Sequence, residues 1–218
     1  MARLMAKTKP YHRWMVLVPL SVSGLWFYLL EQTVLQPEYW IHIRLDAYIP
    51  FVPMFVIPYI IWYVYVAIPA CYLFWKSPRE FTRMAMFLAL GMLVACTVYT
   101  CFPNGQPLRP VIKNPRGLLR VAIYYLYAID TPTNSAPSIH VVYSVAAHVA
   151  ITRHNNRRQR NRWMNGASLL VAVSCIVSTV FIKQHSVVDL VLGLMLSAVL
   201  YLLIYRRKAV AERRLGAC

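Results

Sequence analysis

The residues best suited to chemistry are two histidines and an aspartate at the edges of apolar stretches near the C-terminus. His140 ends the sequence Asn-Ser-Ala-Pro-Ser-Ile-His, and an apolar stretch follows it. His185 and Asp189 lie four residues apart, which places them on one face of a helix. A histidine held by a carboxylate has an oriented ring nitrogen that is suited to nucleophilic attack or proton transfer. We therefore predict that these three residues are catalytic.

The composition places these residues in a membrane protein. Of the 218 residues, 59% are hydrophobic and 14% are charged, and the mean hydropathy is +0.50. A soluble domain of this size would be difficult to keep in solution with such a composition. Ionisable side chains at the edge of a bilayer are costly and are usually functional, which strengthens the interpretation of His140 and His185.

Six apolar spans organise the chain. A membrane-crossing helix needs about 20 apolar residues, and the sequence has candidates at 14–30, 51–75, 81–102, 137–152, 165–182 and 185–205. We predict an all-α integral membrane protein whose single domain, 1–218, contains six transmembrane helices. The first span has charged flanks and lacks a convincing small-residue cleavage site, so we expect it to be a retained helix rather than a signal peptide.

The basic residues predict the orientation of these spans. The formal net charge is +16, and 17 of the 23 lysines and arginines lie in the N-terminal tail, the second and fourth loops and the C-terminal tail. These segments share one side of the six-helix topology, which the positive-inside rule makes cytoplasmic. We expect both termini to be cytoplasmic, in a bacterial inner membrane. His140 and His185 then lie at the extracytoplasmic ends of the fourth and sixth spans.

The long extracytoplasmic segment at 103–136, called the outer segment below, carries its own basic cluster. The positive-inside rule gives no reason for basic residues on this side. They either contact anionic lipid headgroups or form an anion clamp, since arginine presents a planar fork that matches phosphate oxygens. We also expect the Tyr- and Leu-rich stretch 118–128 to form an interfacial helix. The basic residues of the segment are Arg109, Lys113, Arg116 and Arg120.

Three short motifs make the chain resemble the type-2 phosphatidic acid phosphatase superfamily. That family builds its active site from the motifs K-x6-R-P, P-S-G-H and S-R-x5-H-x3-D. The sequence is similar to the second motif at 137–140, and to the third motif with Ser178, His185 and Asp189 at the family's spacing. The first motif survives as Arg109-Pro110.

Three positions depart from the family's motifs. Ile139 stands where the family has glycine, Thr179 where it has arginine, and Phe102 where it has lysine. Isoleucine keeps the backbone N–H but adds bulk near the phosphate, and the other two positions lose a positive charge. The candidates to restore that charge are Lys183, Lys113 and Arg116. The Lys-Gln-His core of the third motif resembles a branch of the family that contains inositol-phosphoceramide-type phosphotransferases.

The resemblance implies a mechanism and a set of phosphate-binding residues. His185 would attack phosphorus to give a phosphohistidine, Asp189 would hold its other ring nitrogen, and His140 would protonate the leaving alkoxide and later activate water. The mechanism requires no metal and no other cofactor. The implied phosphate-binding residues are Arg109, Lys183, Ser138, Ile139, Ser178, Lys113 and Arg116.

We predict that the chain is a lipid phosphatase that hydrolyses a phosphomonoester or diphosphate, with a phospholipid or a polyprenyl phosphate as substrate. The main alternative is a phosphotransferase that moves the phosphate or a phospho-headgroup to an alcohol. A non-catalytic transporter or scaffold is the second alternative, but transporters place polar groups near the bilayer centre, whereas these lie at helix ends. We expect the bilayer as partner and no nucleic acid. The sequence leaves the oligomeric state open.

Overall fold

The structure is a helical bundle with a folded segment over one end. The computed structural model describes residues 14–34, 36–158 and 160–206. The elements are α1 (Leu17–Thr33), β1 (Tyr39–Trp40), α2 (Arg44–Tyr48), α3 (Val56–Lys76), α4 (Pro78–Cys101), β2 (Asn104–Gly105), α5 (Leu118–Ile129), α6 (Ile139–Arg158), α7 (Arg162–Phe181) and α8 (Val187–Tyr201). A 3-10 turn, Pro53–Phe55, precedes α3, and a π-helical turn, Leu202–Arg206, follows α8.

Each predicted span coincides with a long helix. Four helical stretches are long and apolar enough to cross a membrane, which supports a membrane protein; they are Pro53–Lys76, Pro78–Cys101, Arg162–Phe181 and Val187–Tyr205. The first and fourth spans stay predictions as membrane crossings. α1 has 17 residues, and α6 continues beyond residue 152 and carries three histidines and three arginines. The predicted cytoplasmic tails, at 1–13 and 207–218, lie outside the described residues.

α6 is the central helix and packs against α3, α4, α7 and α8. Small residues allow these backbones to approach closely. A Cβ atom on Gly91 of α4 would lie 2.5 Å from Val142 Cγ1, and one on Gly193 of α8 would lie 2.9 Å from the carbonyl oxygen of Ser138. The first turn of α6, which carries His140, is therefore held directly against α8.

α7 and α8 join through the tight turn that the sequence predicts around Lys183 and Gln184. The carbonyl of Thr179 accepts hydrogen bonds from the backbone N–H groups of Gln184, at 2.8 Å, and His185, at 3.1 Å. Lys183 adopts a φ of 57°, in the left-handed region. This turn presents His185 directly before Ser186, the N-cap residue of α8.

The outer segment folds over the same end of the bundle. β2 pairs in parallel with β1 from the first loop, and Gly105 forms a further bridge with Thr133. The predicted helix at 118–128 is present as α5, and its Ile123 is fully buried with Tyr59 of α3 and Ile182 of the tight turn. The outer segment is thus packed against the elements that carry the two histidines.

Candidate active site

The three predicted catalytic residues form one hydrogen-bonded chain. His185 Nδ1 lies 3.1 Å from Asp189 Oδ2, and His185 Nε2 lies 3.3 Å from His140 Nδ1. If Asp189 accepts the proton of Nδ1, Nε2 of His185 keeps its lone pair and accepts from His140 Nδ1–H. The potential nucleophilic nitrogen of His185 is therefore held by His140, and a phosphate has to displace this contact to reach it.

Asp189 holds both the histidine and the start of its helix. Its Oδ2 accepts a second hydrogen bond, at 3.0 Å, from the backbone N–H of Ser186. Ser186 Oγ accepts in turn from the N–H of Val188, which completes a capping box at the start of α8. Asp189 is fully buried, and its Oδ1 has no hydrogen-bond partner among the described residues. The carboxylate that orients His185 is thus fixed by the fold.

The turn before His140 is anchored from three directions. The backbone N–H of Ser138 donates to the carbonyl of Asp189 at 3.1 Å, and Tyr99 Oη donates to the carbonyl of Pro137 at 2.6 Å. The side chain of Asn104 donates to the carbonyl of Ala136 and accepts from its N–H. Ser138 Oγ is buried beside these contacts without a described partner. Ser138 is therefore positioned with an unused hydroxyl group.

Aromatic side chains of α3 enclose His140. Trp62 Nε1 donates to the carbonyl of His140 at 3.1 Å, and the two rings lie 4.3 Å apart. The ring of Tyr59, on the same helix as Trp62, lies 4.8 Å from the imidazole of His140. Nε2 of His140 is buried and has no partner among the described residues. The sequence analysis did not identify this aromatic enclosure, because the tryptophans and tyrosines of the second span are equally typical of packing or of membrane interfaces.

Arg109 is held beside the tight turn. Its guanidinium donates to the carbonyl of Thr131 at 2.7 Å and to Gln184 Oε1, and it stacks over the ring of Tyr127 at 4.7 Å. Burial lowers the pKa of Arg109, and the charge of Asp130 opposes that shift. Its Nε is buried without a described partner. Arg109 thus contacts the residue that directly precedes His185.

Asp130 extends this network to the aromatic wall. Its Oδ2 accepts hydrogen bonds from Tyr59 Oη, at 2.5 Å, and from Gln184 Nε2, at 3.2 Å. The side-chain amide of Gln184 therefore bridges Asp130 and Arg109. Apart from Arg109 and Asp130, which both belong to the outer segment, the residues of this network are 50 or more positions apart along the chain. No local sequence pattern therefore predicts the network.

Four of the predicted phosphate-binding residues either bond backbone carbonyls away from the histidines or are exposed on the outer segment. The ammonium group of Lys183 donates to the carbonyls of Asp46, at 2.7 Å, and Ile49, at 2.5 Å, and burial lowers its pKa. The hydroxyl of Ser178 donates to the carbonyl of Cys175 at 2.6 Å. Lys113 and Arg116 are exposed on the outer segment.

Asp46 of α2 is a site residue that the sequence analysis missed. It is 1% exposed, and its Oδ2 accepts from Ser186 Oγ at 2.7 Å, while Oδ1 accepts from the N–H of Val187 at 2.9 Å. Both partners follow His185 directly. No pattern in the sequence indicates this role, since Asp46 resembles Glu31 and Glu38 as an acidic residue of the first loop.

The comparison with family models identifies the family of the chain. The family model of the PAP2 superfamily matches residues 103–212, which are 110 of the 218 residues. The chain belongs to the PAP2 superfamily. No curated protein and no solved structure matches the chain. PAP2 membership supports a phosphatase or a related phosphotransfer activity, and the match covers the outer segment and the helices α6, α7 and α8.

Two of the residues that depart from the PAP2 motifs, Ile139 and Thr179, are buried in the protein interior. Ile139 is buried in an apolar cluster with Tyr99 and Met92, so its side chain is part of the protein interior. Thr179, where PAP2 proteins have arginine, is fully buried and uses its carbonyl to accept the two hydrogen bonds of the tight turn. The bulk of Ile139 is therefore accounted for, whereas the charge lost at Thr179 is not replaced there.

Proposed function

We propose that this PAP2 protein hydrolyses the phosphate ester of a membrane lipid through a phosphohistidine on His185. The observation that carries the proposal is the chain of contacts from Asp189 through His185 to His140, at 3.1 and 3.3 Å. A nucleophile, a group that orients it and a group that transfers protons are within hydrogen-bonding reach of one another.

In the first half-reaction, Nε2 of His185 attacks phosphorus and the bond to the lipid oxygen breaks. Asp189 keeps the proton on Nδ1 and stabilises the positive charge of the imidazole as the new P–N bond forms. His140, in its protonated form, gives a proton to the leaving alkoxide. In the second half-reaction His140 accepts a proton from water, whose oxygen attacks phosphorus as the P–N bond breaks; inorganic phosphate leaves and Nε2 of His185 regains its lone pair.

The phosphate oxygens need hydrogen-bond donors as their charge redistributes. We assign this role first to Arg109, Ser138 and the backbone N–H of Ile139, because Arg109 Nε and Ser138 Oγ are buried without described partners. Lys113 and Arg116 are exposed and suited to capturing a headgroup at the surface. Lys183 and Ser178, already bonded to carbonyls, are assigned to holding the tight turn.

We place this reaction on the extracytoplasmic side of the membrane, because most of the basic residues that the structure describes lie toward the opposite end of the bundle. The test is labelling with a membrane-impermeant maleimide in intact cells that express single-cysteine variants in a cysteine-free background. A cysteine at exposed Lys113 should react and one at exposed Asn156 should not. The reverse pattern would overturn this orientation. Asn134 is a poorer probe because it is 4% exposed and bonded to Glu31.

Transfer of the phosphate to an alcohol is the competing reaction, since the same phosphohistidine precedes both outcomes. The decisive experiment supplies purified protein with lipids labelled at the phosphate, with and without inositol, glycerol or an acceptor lipid, and resolves the products. Hydrolysis predicts labelled inorganic phosphate in every case, and no label with His185→Ala. Label that appears mainly in a new phospholipid would establish the transferase instead. Excess EDTA should leave activity unchanged, because the proposed steps use only side chains.

A further inference from the structure

A second polar site lies at the end of the bundle opposite the histidines. A cavity of about 210 Å³ opens between the last turns of α3 and α6 and the first turn of α7. Its lining residues, called the basic pocket below, are Tyr72, Lys76, His154, Asn155, Arg158 and Met164. Arg158 is 18 residues beyond His140 on α6, which corresponds to about 27 Å at 1.5 Å per residue. The pocket is therefore separate from the candidate active site.

The basic pocket takes its donors from two helices, and its Lys76 and Arg158 are exposed. Lys76 comes from α3, whereas His154 and Arg158 come from successive turns of α6. The Tyr72 ring meets the His154 ring edge-on at 5.5 Å. Asn155 is fixed because its amide nitrogen donates to the carbonyl of Asn161 and to Asn165 Oδ1, both at 2.6 Å. Lys76, His154 and Arg158 therefore line one cavity together.

Charge compensation reaches this pocket from outside its lining, because the negative charge of Glu80 opposes the lowering of the pKa of His154. No carboxylate is among its lining residues. The nearby carboxylate of Glu80 pairs with Arg83, at 3.0 Å, and with Arg157, at 3.1 Å, and no described ion pair involves the adjacent Arg158. His154 and Arg158 lie one turn apart on the same face. Burial and the charge of Arg158 lower the pKa of His154, and an anion in the pocket would oppose that shift.

Helix-end electrostatics explain part of this arrangement. Basic residues in the last turn of a helix interact favourably with its exposed carbonyl groups, which accounts for Lys76 and Arg158 taken singly. That effect does not require the basic side chains of two helices to line one cavity. Nor does it account for His154, which is partly buried and whose ring contacts the ring of Tyr72 in the same cavity.

We propose that the basic pocket binds a phosphate group, presented by an anionic phospholipid headgroup or by free inorganic phosphate. Arginine and lysine are the residues that proteins use to bind phosphate, and basic pockets between transmembrane helices hold anionic headgroups. The cavity is below the roughly 300–1,000 Å³ of sites for drug-sized ligands, so it suits a headgroup and not a whole lipid. Trp163, next to Met164, is 88% exposed, as expected for a residue at the headgroup level.

The experiment compares two sources of phosphate with two double variants of the full chain. Delipidated protein in neutral detergent is titrated with phosphatidylglycerol or phosphatidylcholine, and retained lipid is counted by native mass spectrometry. Inorganic phosphate is titrated by calorimetry in parallel. The pocket variant is K76Q/R158Q, and the matched control, R160Q/R162Q, removes two charges at the same end from residues outside the pocket. Phosphate bound near His185 contributes equally to all variants and cancels.

The wild type and the control should bind alike, and the pocket variant should bind about 30-fold more weakly, with about fivefold for each single substitution. Loss confined to phosphatidylglycerol identifies a lipid headgroup as the source, and loss of phosphate binding as well identifies the free anion. Equal binding by pocket variant and control would overturn the proposal and leave these residues with a helix-end role only. The single variants K76Q and R158Q provide the same comparison if the double variant does not fold.

Discussion

The two ends of the bundle bury polar side chains in different ways. At the histidine end, the bonded groups come from distant parts of the sequence, as in the contact of Asp46 with Ser186, 140 residues away. At the opposite end, the carboxylate of Glu80 pairs with Arg83, three residues away, and with Arg157 of α6, and Arg153 lies over the ring of Tyr205 at 4.7 Å. Directional hydrogen bonds dominate the first end, and charges and rings dominate the second.

This difference indicates what each end does. A buried polar group that loses its hydrogen-bond partner costs free energy. The hydrogen bonds therefore hold the bonded atoms in one geometry. Ion pairs and cation–π contacts tolerate larger displacements and contribute mainly to stability. Substitutions at the histidine end should therefore reduce turnover in a folded protein, whereas substitutions at the opposite end should reduce stability and leave turnover intact.

The largest expected effect is that of His185→Ala. Turnover should fall by about 10⁴-fold or more, as when the nucleophile is removed from other catalytic groups that act as a unit. Folding should persist, because Asp189 keeps its hydrogen bond to the N–H of Ser186. Phosphate release and the thermal midpoint are measured on the same preparation. Activity above a few per cent of wild type would show that His185 is not the nucleophile.

Asp189→Asn should be the next most severe change, with a loss of about 10²-fold or more by analogy with orienting aspartates in triads. The amide oxygen of asparagine can take the place of Oδ2 and accept from both Ser186 and His185 Nδ1, but the neutral side chain no longer stabilises the positive charge of the imidazole as the P–N bond forms. Asp189→Ala serves as the comparison, since it also removes the helix cap and should lower the thermal midpoint. A fully active Asp189→Asn enzyme would contradict the assigned role.

Asp46→Asn tests whether the first loop positions His185 from a distance. The carboxylate accepts three hydrogen bonds, from Ser186 Oγ and from the N–H groups of Val187 and Ile43, and one amide oxygen cannot replace them all. The turnover number should fall about tenfold with little change in KM, less than the roughly 10² that a misplacement of 1 Å can cost. Glu38→Gln, an exposed change in the same loop, should have no effect. Equal turnover in both variants would limit Asp46 to stability.

The smallest expected effect on turnover is that of Glu80→Gln. The glutamine loses the charge that compensates buried Arg83, and the free energy of unfolding should fall by about 1–3 kcal/mol. Turnover per folded molecule should stay within twofold of wild type, because Glu80 is at the opposite end from His140. Denaturant titration gives the first quantity and phosphate release the second. A large loss of turnover without loss of stability would remove the distinction between the two ends.

The sequence predicted those features that depend on short-range patterns. Apolar length located the long helices, and the spacing of four between His185 and Asp189 placed them on one helical face. The boundaries were less accurate for α6, which extends to Arg158 because its polar last turns are still helical. That α1 and α6 cross the membrane, and in which direction, stays a prediction.

The rest of the site depends on tertiary contacts. Nothing in the order of residues pairs Asp46 with the start of α8 or Trp62 with His140. The sequence also cannot show which way a side chain points from a turn. Lys183 lies two residues before His185, yet its ammonium group bonds the carbonyls of Asp46 and Ile49. A positive charge near a motif is thus weaker support for phosphate binding than a contact with the motif.

The close approach of α6 and α8 at Gly193 makes the spacing of the two imidazoles a property of the backbone. Gly193 lies two turns after His185, and a single added carbon atom would meet the Ser138 carbonyl at 2.9 Å and Val141 Cβ at 2.9 Å. Because Gly193 has no side chain, the two helices approach closely enough for His140 Nδ1 and His185 Nε2 to lie 3.3 Å apart. Replacing Gly193 by alanine or serine should therefore separate the two helices in steps and widen the entrance for a bulkier headgroup. Every reacting group would stay unaltered.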